Sequence, residues 1–183
     1  MKHWLWPLAA AIAVIALGMM AYFGERDTRS ESSFKAAGLM LSQAPATFTQ
    51  VELSIGKQRW RFLRRGALWQ IDTDHSHAAS IGKISAEALS QRIDSALSLL
   101  QVSAPERMLS GEELTLISSF GLSPPTSYVQ ASAPSTPTRP FGIRFGRATM
   151  LEHARYAQVD GAPDVAIIPR HVADAWESLT DGL

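Results

Sequence analysis

From Trp4 to Phe23 the chain runs twenty residues without a charge, and Glu25, Arg26, Asp27 and Arg29 then end the run. As a helix it rises about 30 Å, the thickness of a bilayer's hydrocarbon core. Trp4, Trp6, Tyr22 and Phe23 lie at its two ends, where aromatic belts sit, and Pro7 falls in the first turn, where its missing N–H costs little. Residues 1–24 are therefore expected to form one transmembrane anchor. No polar face runs along the segment, which argues against a buried soluble helix. A second reading stays open: Ala16 and Gly18 form a small-x-small signal-peptide cleavage pattern, although apolar residues continue beyond it through Phe23. Lys2 and the amino terminus flank one end, and nearly cancelling charges flank the other. That bias places the N-terminus in the cytoplasm and the remainder in the periplasm of a bacterial-type inner membrane.

Residues 25–47 read as a connector, with Ser30, Ser32 and Ser33 clustered, a short apolar stretch from Phe34 to Leu41, and a break at Gln43–Thr47 around Pro45. Residues 48–183 read as an exported domain. Val51, Leu53 and Ile55 alternate with Glu52 and Ser54, the period of a half-buried strand. Gly56-Lys57 fits a two-residue hairpin turn. Folding there pairs Leu53 with Trp60 and Val51 with Phe62 on one face, and Glu52 with Arg61 and Ser54 with Arg59 on the other. A one-residue slip would put Trp60 and Phe62 in water, so the register is determined. Arg64-Arg65-Gly66 predicts the next turn, and Ala67–Ile71 a third strand with Trp69 and Ile71 on one face.

A helix follows. Ser85 is a good N-cap, Ile84 and Leu89 occupy hydrophobic-staple positions, and Leu89, Ile93, Ala96, Leu97 and Leu100 make a stripe. Ser110 with Glu113 three residues later predicts a capping box at the start of a second, short helix, which Gly121 would end as its C′ residue. Strands are expected at Ser127–Ala131, Phe141–Phe145, Ala154–Val159 and Val165–Ile168, with an exposed Pro/Ser/Thr loop over 133–140 and a turn at Asp160-Gly161. Pro169 to Leu179 predicts a closing helix with Val172, Ala175, Trp176 and Leu179 inward. The order predicts an α+β fold, with antiparallel hairpins in a sheet packed with two or three helices, behind the N-terminal transmembrane helix.

Several motifs stand in a fixed order: the apolar hairpin leading to Gly66-x-x-Trp69-x-Ile71, a capped helix of about four turns, Phe120-Gly121-Leu122-x-Pro124, Ile143-x-Phe145-Gly146, Tyr156 in a strand, and a last strand and helix ending near Trp176. The ordered set, spanning roughly Val51 to Trp176, resembles the bacterial domain of unknown function 4340 family. The resemblance implies a membrane-tethered exported domain; some such domains are linked to accessory subunits of ABC-type exporters, including those of gliding motility. No catalytic residues are established for that family. The chain departs from it in carrying one copy where relatives often have two, and in its Pro/Ser/Thr loop, which replaces a short turn.

Composition narrows the chemistry. The 183 residues contain 17 basic and 17 acidic side chains, and removing Lys2 leaves 16 basic ones from Glu25 onward. No global field therefore favours nucleic acid. With no cysteine, disulfides, thiolate metal sites and cysteine nucleophiles are excluded. No phosphate loop, dinucleotide fingerprint, nucleophile elbow or His-Glu-x-x-His pattern occurs, so no cofactor and no enzymatic activity are expected. Ser-x-x-Lys occurs at Ser32, Ser54 and Ser80 without the motifs that accompany it in hydrolases.

Two local features remain. His75 and His77 flank Ser76 just after Asp72 and Asp74. Alternation would place both imidazoles on one side, making them candidate metal ligands, with His153 or His171 needed to complete a site. The plain alternative is a polar loop between a strand and a helix. Lys57, Arg59, Arg61, Arg64 and Arg65 make a basic hairpin. It reads as a solvated sheet face or as a contact for a partner protein or lipid headgroups. The expectation overall is a periplasmic accessory or assembly protein that touches the membrane through residues 4–23 and other envelope proteins through its domain. The alternative is an exported ligand- or metal-binding domain.

Overall fold

The computed structural model describes residues 40–181 except 42, 77–83 and 135–139, with the backbone alone described for 115–117. The expected anchor over 1–24 and most of the connector lie outside these residues. Eight antiparallel strands form one sheet: β1 (Gln50–Ile55), β2 (Gln58–Arg65), β3 (Leu68–Ile71), β4 (Arg107–Leu109), β5 (Ser127–Ser132), β6 (Phe141–Ala148), β7 (Ala154–Val159) and β8 (Val165–Pro169), in the spatial order β3-β2-β1-β5-β6-β7-β8-β4. Among the described residues two α-helices, α1 (Ala86–Val102) and α2 (Arg170–Glu177), accompany the sheet. The α+β class is therefore as expected. Among the described residues no helix is long and apolar enough to cross a membrane.

The first hairpin has the register that its side chains demand. Val51 stands opposite Phe62, Glu52 opposite Arg61, Leu53 opposite Trp60 and Ser54 opposite Arg59. Gly56 opens the turn at φ 59°, a conformation that costs a Cβ-bearing residue strain. Val51, Leu53, Phe62 and Trp69 are buried on one face with Val129, Ile143, Phe145 and Ile168 from farther strands. The α1 stripe of Leu89, Ile93, Ala96, Leu97 and Leu100 closes over them, and Val172, Ala173 and Trp176 of α2 join the same core. Ser85 caps α1 by accepting from the Ala88 N–H at 3.2 Å. Met40 and Leu41 belong to this core as well, so it reaches back into residues that the sequence reads as connector.

Three further features differ from the sequence reading. The segment Gly111–Phe120 is a 3-10 helix, and its expected capping box does not form. Gly111 sits at φ 58°, off the helical path, and the Glu113 N–H bonds to the Ser110 carbonyl at 3.3 Å instead of to its hydroxyl. The Glu113 carboxylate pairs with Arg107. Gly121 does end the segment in the left-handed conformation, at φ 69°. Secondly, β4 is a strand that three residues cannot announce by periodicity; it pairs with β8, Leu109 opposite Val165. Thirdly, β6 runs on to Ala148 through an irregularity between Phe145 and Ala148.

The 3-10 segment covers the opposite face of the sheet at the β7–β8–β4 end. There Leu109, Phe120, Leu122 and Val165 form a second small core with Leu114, Tyr156 and Ile167. The Phe120 and Tyr156 rings lie 4.5 Å apart, tilted by 30°. Among the described residues the rest of that face, across β3, β2, β1 and β5, is mostly polar and has no helix over it. Such one-sided burial is ordinary for an antiparallel sheet.

Candidate functional site

On β6, the positions that point away from the α-helices are Gly142, Arg144 and Gly146, alternating with Ile143 and Phe145, which face the main core. Both glycines serve close approach. A Cβ on Gly142 would collide with the Asp160 carboxylate and with Tyr128 Oη, and one on Gly146 would collide with the Phe120 carbonyl. Asp160 fills the space over Gly142, where it accepts from the Tyr128 hydroxyl at 2.7 Å and pairs with Arg144 at 2.9 Å. Burial first, and then the Asp160 carboxylate, push the Tyr128 phenol up to about 12, against an opposite pull from Arg144.

Arg144 also borders a cleft of about 580 Å³, lined by Ser118, Leu122, Ser123, Pro125 and Gln158 besides Arg144. The 3-10 segment and the Leu122–Pro125 turn, whose Ser123–Pro124 peptide is cis, form one wall, and β6 and β7 form the other. One cationic side chain beside hydroxyls and an amide can hold a polar ligand; among the described residues the cleft lining has no paired acid and base and no nucleophile with an adjacent base. Sequence reasoning missed this cleft because it joins the Gly121–Pro125 turn to Arg144 and Gln158 on strands distant in the chain. A Gly-x-Arg-x-Gly alternation on one strand face was the available signal.

The basic hairpin separates by face. Arg61 lies on the uncovered side, 2.7 Å from Glu52 and 4.0 Å from Asp72, so its charge is already matched. Arg64 continues the alternation of Trp60 and Phe62 and therefore lies on the helix side. There it pairs with Asp94 of α1 and stands 4.9 Å over the Trp69 ring. Arg59 and Arg65 are exposed and have no ion pair among the described residues. Of the four arginines, these two are free to meet another molecule.

For the candidate metal ligands, His75 Nδ1 stands 2.8 Å from Asp72 Oδ2, which commits that nitrogen to the carboxylate. His77 lies outside the described residues. Among the described residues no group of three His, Asp or Glu side chains could hold a metal ion. His153 faces Glu106 at 3.5 Å, in a different part of the fold. Lys57 is exposed in the hairpin turn itself, while Ser54 lies within β1; the other two Ser-x-x-Lys pairs lie outside the described residues.

A buried charge network sits on the helix side. The Arg155 side chain, 9% exposed, donates to the Gly146 carbonyl at 3.1 Å and lies 2.7 Å from Glu177. Glu177 also accepts from Ser127 Oγ at 2.9 Å. These bonds fasten α2 to β5, β6 and β7, which is a structural task. No protein-family model, no curated protein and no solved structure matches this chain.

Proposed function

We propose that this chain is a membrane-anchored accessory protein that acts through protein–protein contacts in a larger envelope complex, with its domain on the periplasmic side. The observation that carries this reading is the uncharged run from Trp4 to Phe23, ended at once by mixed charges, ahead of a separately cored domain. The resemblance to the domain of unknown function 4340 family points the same way and suggests association with an exporter. The mostly polar sheet face, where Arg59 and Arg65 are exposed and have no ion pair among the described residues, is the surface this reading assigns to partner or headgroup contact. The reading gives the protein no chemical step of its own.

Purification from native membranes in mild detergent, followed by sizing and mass spectrometry, tests the proposal. The protein is expected to elute with partners, and an R59E/R65E variant is expected to lose them while keeping the same thermal melt. A full-length protein that runs alone as a monomer contradicts the reading.

The cleft beside Arg144 favours one alternative, an exported domain that binds a small polar ligand. Thermal shifts against a panel of carboxylates and phosphate esters, with R144A as control, would separate the two. A ligand that stabilises the native protein but not R144A supports the alternative.

A further inference from the structure

The turn between β6 and β7 carries two apolar side chains in full solvent. Met150 is 100% exposed and Leu151 is 79% exposed. The turn is closely bonded. The Glu152 N–H bonds to the Thr149 carbonyl at 2.9 Å, and the Thr149 N–H bonds to the Ala154 carbonyl at 2.9 Å. Glu152 takes φ 57°, a conformation that a side chain normally avoids, while Arg170 Nη1 donates to its carbonyl at 3.4 Å. Met150 and Leu151 thus occupy the two central positions of a β-turn, where Pro, Asn, Asp, Ser or Gly is the usual choice. A firmly built turn presents the side chains that turn chemistry disfavours and that folding leaves unburied.

We propose that this turn dips into the interfacial region of the bilayer and gives the domain a second, shallow membrane contact. The inference rests on the anchored reading above. The size of the tip, the nature of a bilayer interface and the local charges select lipid over protein as the occupant. The turn is a projecting tip of two side chains, whereas a stable protein interface takes about 800 Å² from each partner. A fluid interface accepts an isolated apolar tip without a matching pocket. The cation bonded to the turn is already matched, because Arg170, which donates to the Glu152 carbonyl, pairs with Asp174 at 3.2 Å, and the turn itself carries the acidic Glu152. Apolar contact, and not attraction to anionic lipid, is then what the tip offers. The chain from Phe23 to Met40 spans at most about 60 Å, so a tethered domain stays within reach of the surface.

The native chain lacks cysteine, so single-cysteine M150C, L151C and A67C variants of the full-length protein each take one environment-sensitive fluorophore. Ala67 is exposed in the β2–β3 turn, at the other end of the sheet. In phosphatidylcholine vesicles, labels at 150 and 151 are expected to shift to the blue and to be quenched by doxyl-labelled lipid, while the label at 67 stays aqueous. Aqueous emission at 150 and 151 in vesicles that retain the protein overturns the proposal. So does a blue shift without lipid quenching, which would place the tip in a protein pocket or against a second copy. A protein that does not stay with the vesicles at all removes the anchored reading, and the tip proposal falls with it.

Discussion

The Arg64 guanidinium lies 4.9 Å over the Trp69 ring, and both side chains converge on one carboxylate: Arg64 pairs with Asp94, and Trp69 Nε1 donates to the same oxygen at 3.0 Å. The edge strand β3 is thereby tied to α1. The Ser90 hydroxyl completes the tie by accepting from the Trp69 N–H at 2.7 Å. An edge strand whose outward N–H is taken by a helix side chain offers less to a stray strand. Replacing Asp94 with Ala strands both donors, and because the carboxylate is partly exposed the expected loss is about 1–2 kcal/mol. Urea unfolding reads it, and Asp94→Asn should recover part of the loss.

Gly142→Ala drives a methyl group into the Asp160 carboxylate and breaks its bond to Tyr128. The cost should be about 1–3 kcal/mol, as for other overpacked sites. Tyr128 offers a separate reading of the same contact. Its pKa is raised in the folded state from 10.0 to about 12. The folded protein therefore holds this proton more tightly than the unfolded chain does. The associated stability is intact below pH 10 and is lost as pH rises toward 12. Phenolate absorbance should show a late-titrating tyrosine, moved to lower pH by Asp160→Asn.

Glu177→Ala leaves Arg155 buried without its nearest carboxylate, since Asp174 stands at 3.9 Å against 2.7 Å for Glu177. Removing one partner of a buried pair costs about 3 kcal/mol. A large drop in the urea midpoint is expected, with Glu177→Gln intermediate because it can still accept from Ser127 and Arg155.

Glu113→Ala should change stability by no more than about 0.5 kcal/mol, the range of an exposed ion pair. A working capping box would cost about 1 kcal/mol when its residues are removed. The same urea experiment separates the two values.

Where a sequence signal was local and redundant, it carried through. The β1–β2 register followed from two independent complementarities, apolar against apolar and Glu52 against Arg61, and α1 from a stripe, a cap and a staple that agreed. The capping-box motif at Ser110 was a single signal, and Gly111 with a positive φ defeated it. Three residues cannot display a period, so β4 was silent. Arg64 was legible in principle, because it extends the alternation of Trp60 and Phe62, but counting it with the other arginines hid which face it lay on. The roles of Gly142 and Gly146 depend on Asp160 and Phe120, which only the fold brings near.

The account depends most on whether residues 1–24 stay on the mature protein. Intact-mass measurement of the native chain, after separating membranes from soluble material by alkaline extraction, reads this directly. The full-length mass is expected in the membrane pellet. A chain shortened by its first two dozen residues and recovered in the soluble fraction would contradict it.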